Sequence, residues 1–459
     1  MISIGYDIGS SSIKCAFLDC ESGETIAQGF CPSVEMEIQS PKPGWAEQDP
    51  NLWWQYVVQL TRQLMQEQNI NPDRVKAVGI SYQMHGLVLV DIKQQVLRPA
   101  IIWCDSRAVE IGRSALDALG KGYCLKRLLN SPGNFTASKL RWVNENEPEV
   151  FKRIHKSMLP GEYIAMKLAG EIATTISGLS EGIYWDFQSN TVAKELLEYF
   201  KIDSGLLPDV RPTFSVRGRM TKAAAQQLGL REGTPVAYCA GDQPNNAFSL
   251  NALNPGEAAA TAGTSGVVYG VTDKILCDPK SRVNVFAHVN HACDKPRLGV
   301  LLCINGTGIL NSWLRRNVAG NMTYQDMNTM AAEVAIGSEG VSVLPFGNGS
   351  ERILENRNVG CQISGLDFNR HSGAHLFRAS QEGIAFSFKY GLDIMKEMGI
   401  DIQTIRASHG NMFLSPIFRQ TLANIADATI ELYATDGAIG AARGAAIGVG
   451  LFTSFQEAF

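Results

Sequence analysis

Two short Gly/Ser/Thr-rich hairpins lie about half the chain apart, SIGYDIGSSSIKCAFLD at 3–19 and AATAGTSGVVYGV at 259–271. Each reads as a strand, a tight turn and a second strand. Glycine lets a backbone come close to a ligand, and successive N–H groups with hydroxyls form an anion cradle. One such turn is commonplace. Two of them, with Asp7 at the mouth of the first and Gly241-Asp242-Gln243 just before the second, predict duplicated halves that hold a polyphosphate between them. That points to phosphoryl transfer.

A chain of 459 residues exceeds one ordinary domain. The repeat places the boundary near 245, giving a first domain at 1–244 and a second at 245–459. Residues 2–7, 13–19 and 24–31 alternate or run apolar between turns, as in an antiparallel meander. Asp49-Pro50 is an N-cap followed by proline, and behind it Trp53, Tyr56, Val57, Leu60 and Leu64 recur at helical spacing. Strands at 75–81 and 86–91 follow. The second half repeats the theme. Strands are read at 235–240, 298–304, 341–346, 404–407 and 429–432, with helices at 308–317 and 373–398, after Pro416 and from 436. Meander, helix, strand is the order of a ribonuclease-H-like or actin-like domain. Gly440, Gly444 and Gly448 fall one helical turn apart, which reads as close packing of the last helix rather than a membrane role.

Apolar content of 45% and charged content of 19% are those of a globular protein. A net charge of −4 gives no bulk attraction to nucleic acid or an anionic membrane. An anionic substrate must therefore be met locally, by a metal ion and N–H groups. No run of 18 apolar residues is present, so no bilayer span is expected. Met1 leads straight into the first strand without a basic, cleavable leader, and a cytoplasmic location is expected. The ten cysteines are scattered without a Cys-x-x-Cys, which predicts free thiols and no zinc site. The pairs His288/His291 and His371/His375 lack a third ligand nearby in sequence, so no metal centre is expected there.

GxxxxGK[ST] is absent, so the phosphate cradle is of another type. Asp242 follows an apolar strand, where an acid facing a cleft can accept the proton of a hydroxyl; a turn or cap aspartate is the plain alternative. Asp7 ends the first strand, where a carboxylate can hold Mg2+ directly or through water, with a turn aspartate as the alternative. Lys14 follows the first turn and can reach a phosphate or stay solvated. Gln83, Met84 and His85 lie in a short strand-to-strand connection suited to sugar contact, with a structural histidine as the plain alternative. Asp105, in Trp103-Cys104-Asp105-Ser106-Arg107, offers an acid beside a guanidinium for hydroxyl recognition, with an ion pair as the alternative.

These elements, taken in order, resemble the FGGY carbohydrate kinases over nearly the whole length. They are DIGSSSIK, PGWAEQDP, QMHG, WCDSR, AGDQPNN, TAGTSG, NGTG, LPFGNGSER and the helix HLFRASQEGIAFSFKYGLDIM. Singly each is weak; in this order they are specific. The resemblance implies an α/β fold of two actin-like domains flanking a deep catalytic cleft, sugar on the first side and ATP on the second. It implies Asp242 as general base, with Asp7 and Asp242 about Mg2+. Ser10, Ser11, Lys14, Gly263, Thr264, Ser265, Gly266 and Gly308 would serve the phosphates, and Gly410 with Asn411 the adenosine. Gln83, Met84, His85, Asp105 and Gln243 would meet the sugar. Met84-His85 is similar to the pair found in members acting on xylulose, which implies phosphorylation of D-xylulose at its terminal hydroxyl.

The chain departs from the family pattern at three points. The adenosine loop, usually rich in consecutive glycines, reads Ser408-His409-Gly410-Asn411-Met412. The usual Gly-Thr of the first turn is Gly9-Ser10. The chain ends at Phe459, where relatives continue for a few more helical turns, and lost terminal packing would lower stability. Ribulose, glycerol, fuculose and gluconate are rival substrates, and an actin-like polymer or a nucleotide-dependent sugar sensor without turnover is a rival of another class. Homodimers are common in the family.

Overall fold

The computed structural model describes all residues, 1–459. Met1–Asn251, Phe286–Pro296 and Asp436–Phe459 form one compact unit, and Ala252–Val285 with Arg297–Thr435 form the other. The boundary inferred from the repeat, near 245, thus falls inside a helix of unit 1. Residues 436–459, assigned to the second half by sequence, return to the first unit.

Unit 1 is built on β1 (Ile2–Ile8), β2 (Ile13–Asp19), β3 (Thr25–Cys31), β4 (Val75–Tyr82), β5 (Phe214–Arg219) and β6 (Pro235–Gly241), in the spatial order β5-β6-β4-β1-β2-β3. β1, β2 and β3 form the antiparallel meander, while β4 and β6 lie parallel to β1. Ile2, Ile4, Tyr6 and Ile8 alternate onto one face, and they join a core with Trp53, Val57, Leu60 and Leu64 of α1 (Pro50–Glu67). Asp49 caps α1 by accepting from the Asn51 N–H.

The opposite face is made of small residues, and the last helix (Gly437–Gly448) covers it. A Cβ at Gly5 would sit 1.9 Å from the Ala438 carbonyl oxygen, and one at Gly79 would sit 2.0 Å from that of Ala441. Ser3 Oγ donates to the Ala442 carbonyl at 2.7 Å. From the helix side, a Cβ at Gly448 would lie 2.1 Å from the Ala237 carbonyl oxygen. The glycine repeat is therefore a packing device. It explains how the last helix packs into unit 1, where Gly5 and Gly79 of the sheet leave room for its backbone. Beyond the helix, Phe455 and Phe459 pack edge-on against Phe248 at 6.2 and 5.4 Å.

Unit 2 repeats the topology. β7 (Glu257–Ala262), β8 (Gly266–Thr272) and β9 (Leu298–Ile304) form the meander, and β12 (Thr404–Ser408) and β13 (Thr429–Tyr433) add in parallel, giving β9-β8-β7-β12-β13. This matches β3-β2-β1-β4-β6 strand for strand, so the resemblance between the two hairpins is structural. A separate two-stranded ribbon joins β10 (Ser342–Phe346) to β11 (Gly360–Ser364). Helices α2 (Gly308–Asn317), α3 (Gly373–Glu397) and α4 (Pro416–Ala426) complete the unit's main frame. No helix is long and apolar enough to cross a membrane.

Candidate functional site

The carboxyl ends of β1, β4 and β6 lie side by side in unit 1. Asp7 stands opposite Ser81, and Gly241 opposite Tyr82. In sheets of this kind ligands gather at such ends. Ser81 Oγ donates to Asp7 Oδ1 at 2.9 Å, and Lys14, across the meander, places Nζ 3.6 Å from Asp7 Oδ2. Lys14 is thus the carboxylate's partner in this structure. Asp242 opens an eight-residue helix (Asp242–Ser249) directly after β6. Its side chain keeps a partly open face. Burial of the remainder pushes the carboxyl up to about 7, and the Asp7 carboxylate adds to the rise, against hydrogen bonds from Gln243 and the charge of Lys14.

These two acids fit a divalent cation. They approach closely enough for one to oppose ionisation of the other, and an ion carried by a polyphosphate would relieve that cost.

Beside them sits the connection Gln83-Met84-His85. Gln83 and Met84 are buried, and His85 adopts a left-handed backbone with φ 60°. His85 Nδ1 lies 2.9 Å from the Glu181 carbonyl oxygen, so the ring proton sits on Nδ1. The ring is edge-on to Phe135 at 4.8 Å and tilted to Phe286 at 5.3 Å. Ser10 Oγ accepts from Trp103 Nε1 at 3.3 Å, which hangs that exposed indole beside the first turn. Ser11 is exposed, and Gln243 half-buried at the head of its helix.

Asp105 is placed otherwise than the sequence suggested. It is 0% exposed. Oδ2 accepts from the Ala46 N–H at 2.6 Å and from Arg107 Nη2 at 2.7 Å, while Oδ1 accepts from the Arg107 N–H at 2.9 Å. Arg107 in turn stacks on Trp45 at 3.8 Å. With both oxygens engaged inside the protein, Asp105 braces this wall and presents nothing to a sugar.

Two buried groups were missed by sequence reasoning. Glu181 ends a short helix (Ile176–Glu181), and a Cβ at Gly241 would lie 2.4 Å from its Oε2. Burial raises its carboxyl well above the usual range, and the Asp242 charge raises it further. Lys139, in the helix Thr136–Asn146, donates from Nζ to the carbonyls of His85 and Ile102, both at 2.9 Å. Burial pulls its pKa down to about 7. A lysine amid Ala137, Ser138 and Leu140 is the only signal the sequence held.

In unit 2 a cavity of about 540 Å³ is lined by Gly263, Thr264, Gly308, Asn311, Arg316 and Asn411, among others. Four residues singled out in the sequence meet there. The Gly308 N–H donates to the Gly263 carbonyl at 2.8 Å, and Thr307 Oγ donates to the same oxygen at 2.9 Å. Gly308 therefore pins the hairpin onto α2, and its own N–H is taken. A Cβ there would lie 2.4 Å from the Gly263 oxygen. Thr264 and Ser265 are exposed at the turn. Gly266 is buried in β8, where a Cβ would press on Phe388 at 2.7 Å; its smallness serves packing. Asn411 takes φ 52° on the cavity wall, and the neighbouring Gly410 is extended and open.

The histidines need one correction. Glu339 comes within 4.8 Å of His371 and His375, a third group the sequence did not reveal. Yet His371 Nδ1 accepts the Asp367 N–H at 2.9 Å, and His375 Nδ1 accepts the Ser372 N–H at 3.1 Å. In the neutral rings both protons then lie on Nε2, and no lone pair faces a cation.

Family models for the FGGY family of carbohydrate kinases match the chain at 2–249 for the N-terminal domain and at 258–449 for the C-terminal domain. The xylulose kinase of Escherichia coli (strain K12) is 29% identical over 443 residues, covering 96% of this chain and 88% of that protein. The xylulose kinase of Lactococcus lactis subsp. lactis (strain IL1403) is 30% identical over 461 residues, covering 99% and 89%. The crystal structure of xylulose kinase from Rhodospirillum rubrum superposes with a TM-score of 0.88 at 27% identity, covering 100% of this chain and 92% of that one. Plasmodium falciparum glycerol kinase with ADP shares the fold at 0.87 and 22% identity, covering 99% and 91%.

Proposed function

This chain belongs to the FGGY family of carbohydrate kinases, and on that premise we propose that it transfers the γ-phosphoryl group of ATP to the terminal hydroxyl of D-xylulose, giving D-xylulose 5-phosphate. The observation that carries the reading is Asp242. An acid poised near neutrality, on the rim of a polar site, suits a general base toward a sugar hydroxyl. The xylulose kinases named above, similar over nearly the whole chain, support the choice of sugar.

Each residue has a stated task. Met84 and His85 orient the ketose. Gln83, whose Oε1 is buried without a hydrogen-bond partner, offers an acceptor. Trp103 offers an indole face to the carbon chain of the open ketose, and Gln243 stands beside the base. Asp242 takes the hydroxyl proton as the oxygen attacks phosphorus and the bond to ADP breaks. Asp7 and Asp242 would hold Mg2+, which spreads the phosphate charge when bound. Ser10, Ser11 and Lys14, with Gly263, Thr264 and Ser265, serve the phosphates. Gly308 sets the hairpin's position, and Asn411 with Gly410 meets the adenosine.

A coupled ADP-release assay with Mg-ATP tests the reading, run against D-xylulose, D-ribulose, L-ribulose, glycerol, fuculose and gluconate. D-xylulose should exceed the others in kcat/KM by about tenfold or more, a difference of ~1.4 kcal/mol in transition-state binding. A different winner would overturn the choice of sugar.

A further inference from the structure

The cavity of about 540 Å³ in unit 2 presents hydrogen-bond donors at one end. Gly308, Ser312 and Arg316 of α2 line its wall, four residues apart on one face, so the cavity follows that helix for roughly 12 Å. The Gly263-Thr264 turn lies at the Gly308 end, where the phosphates would be held. Arg316 stands at the other end, with Tyr324 and Asn328 from the helix Tyr324–Ala332. Arg315 covers one face of the Tyr324 ring at 4.8 Å, and Tyr324 remains 40% exposed, which leaves its other face to a base. Stacking there favours no particular base, since every base has a π-face. No carboxylate lines the cavity.

A relay of hydrogen bonds sets which way the Asn328 amide points. The Phe418 N–H can only donate, and it donates to Ser415 Oγ, the cap of α4. Ser415 Oγ in turn donates to Gln381 Oε1 on α3. Gln381 Nε2 then donates to Asn328 Oδ1 at 2.9 Å. Ser415 and Gln381 are buried. Turning over either amide alone would set two donors or two acceptors face to face, at the cost of an unmade buried hydrogen bond. Asn328 Oδ1 is thus engaged inside the protein, and its Nδ2 hydrogens are left for a ligand.

An asparagine reads adenine by accepting from the N6 amine and donating to N7 together, and the accepting half of that pair is closed here. Arginine, by contrast, suits an oxygen at C6 with N7 beside it, and no acid pairs with Arg316. We propose that this chain takes 6-oxopurine nucleoside triphosphates as phosphoryl donors alongside ATP, with Asn328 and Arg316 meeting the base. The inference rests on the kinase reading above. The base stays outside the chemistry. The bond from the γ-phosphorus to the β–γ bridging oxygen breaks, the bond to the sugar oxygen forms, the nucleoside diphosphate leaves, and the hydroxyl proton goes to Asp242.

Calorimetric titration of the full chain with ADP and IDP tests this, because the two nucleotides differ only in the base. A hydrogen-bond pair that told the bases apart would separate them by roughly fivefold to 150-fold. IDP should instead bind at least about one-fifth as tightly as ADP, and Mg-ITP should phosphorylate D-xylulose with at least about one-fifth of the kcat/KM of Mg-ATP. Asn328→Asp replaces the donor with an acceptor, so ADP should gain on IDP by about fivefold or more; repulsion of the phosphates is the same for both and cancels in that ratio. Asn328 is half-buried, so circular dichroism should be unchanged. A wild type that prefers ADP or ATP beyond that margin would overturn the proposal, as would a binding ratio unmoved by the substitution. Similar binding of ADP and IDP with no sugar phosphorylated from either triphosphate would support the base reading and strike the choice of sugar.

Discussion

Asp7 at the end of β1 and Asp242 just beyond β6 flank the same strand, β4, and the Asp7 carboxylate helps push the Asp242 carboxyl up to about 7. A base must be ionised to accept a proton. kcat/KM, which reports the free enzyme's base, should therefore rise with pH through about 7 and level off above it. Asp7→Asn removes one cause of the upward shift. Its pH–rate profile, though lower in height, should have its acid limb displaced to lower pH. An acid limb unmoved by that substitution would detach the two carboxyls.

The same shift makes Asp242 a cost to the fold. Its folded pKa lies above the unfolded value, so the folded state binds more protons between about pH 4 and pH 7. Stability from this group is present at acid pH and lost as pH rises through that window. Asp242→Asn keeps the shape without the charge. It should be the more stable protein at pH 8, by no more than about 4 kcal/mol given the open face of the side chain, with the gap closing toward pH 4. Urea unfolding at the two pH values checks the sign.

Lys139 ties the His85 and Ile102 carbonyls together in the interior. Lys139→Met would strand both oxygens, at a cost of about 2–4 kcal/mol. It would also loosen the histidine that meets the sugar. The KM for D-xylulose should rise by about tenfold, equivalent to ~1.4 kcal/mol, with the KM for ATP nearly unchanged. Equal rises in both would assign Lys139 to general stability alone.

Gly5→Ala would drive a methyl group into the backbone of the last helix, at Ala438 and Ala442. Neither side of that contact is a flexible side chain. The denaturation midpoint should fall by the equivalent of about 1–3 kcal/mol or more.

The meanders, the long helices and the duplicated plan were legible because they rest on local signals. Alternation, Asp49-Pro50 and the hairpin turns carry their own geometry. Asp7 and Asp242 were legible as strand-end acids, but only tertiary pairing sets them on either side of β4. Asp105 misled because an acid next to arginine reads alike whether it faces ligand or core; burial against Ala46 and Arg107 decides it. Glu181 and Lys139 were invisible, since each acts from a helix that passes behind the site and has no motif. The return of residues 436–459 to unit 1 depends on Gly5 and Gly79 meeting the last helix across the length of the chain, which no local pattern records.

The most direct test of the account is single-turnover phosphorylation of D-xylulose by Asp242→Asn beside wild type, with nucleotide binding measured on the same samples. Loss of roughly 10²-fold to 10⁴-fold in the chemical step, the usual contribution of a general base, with nucleotide affinity retained, is the predicted result. Near-normal turnover by that variant would contradict it.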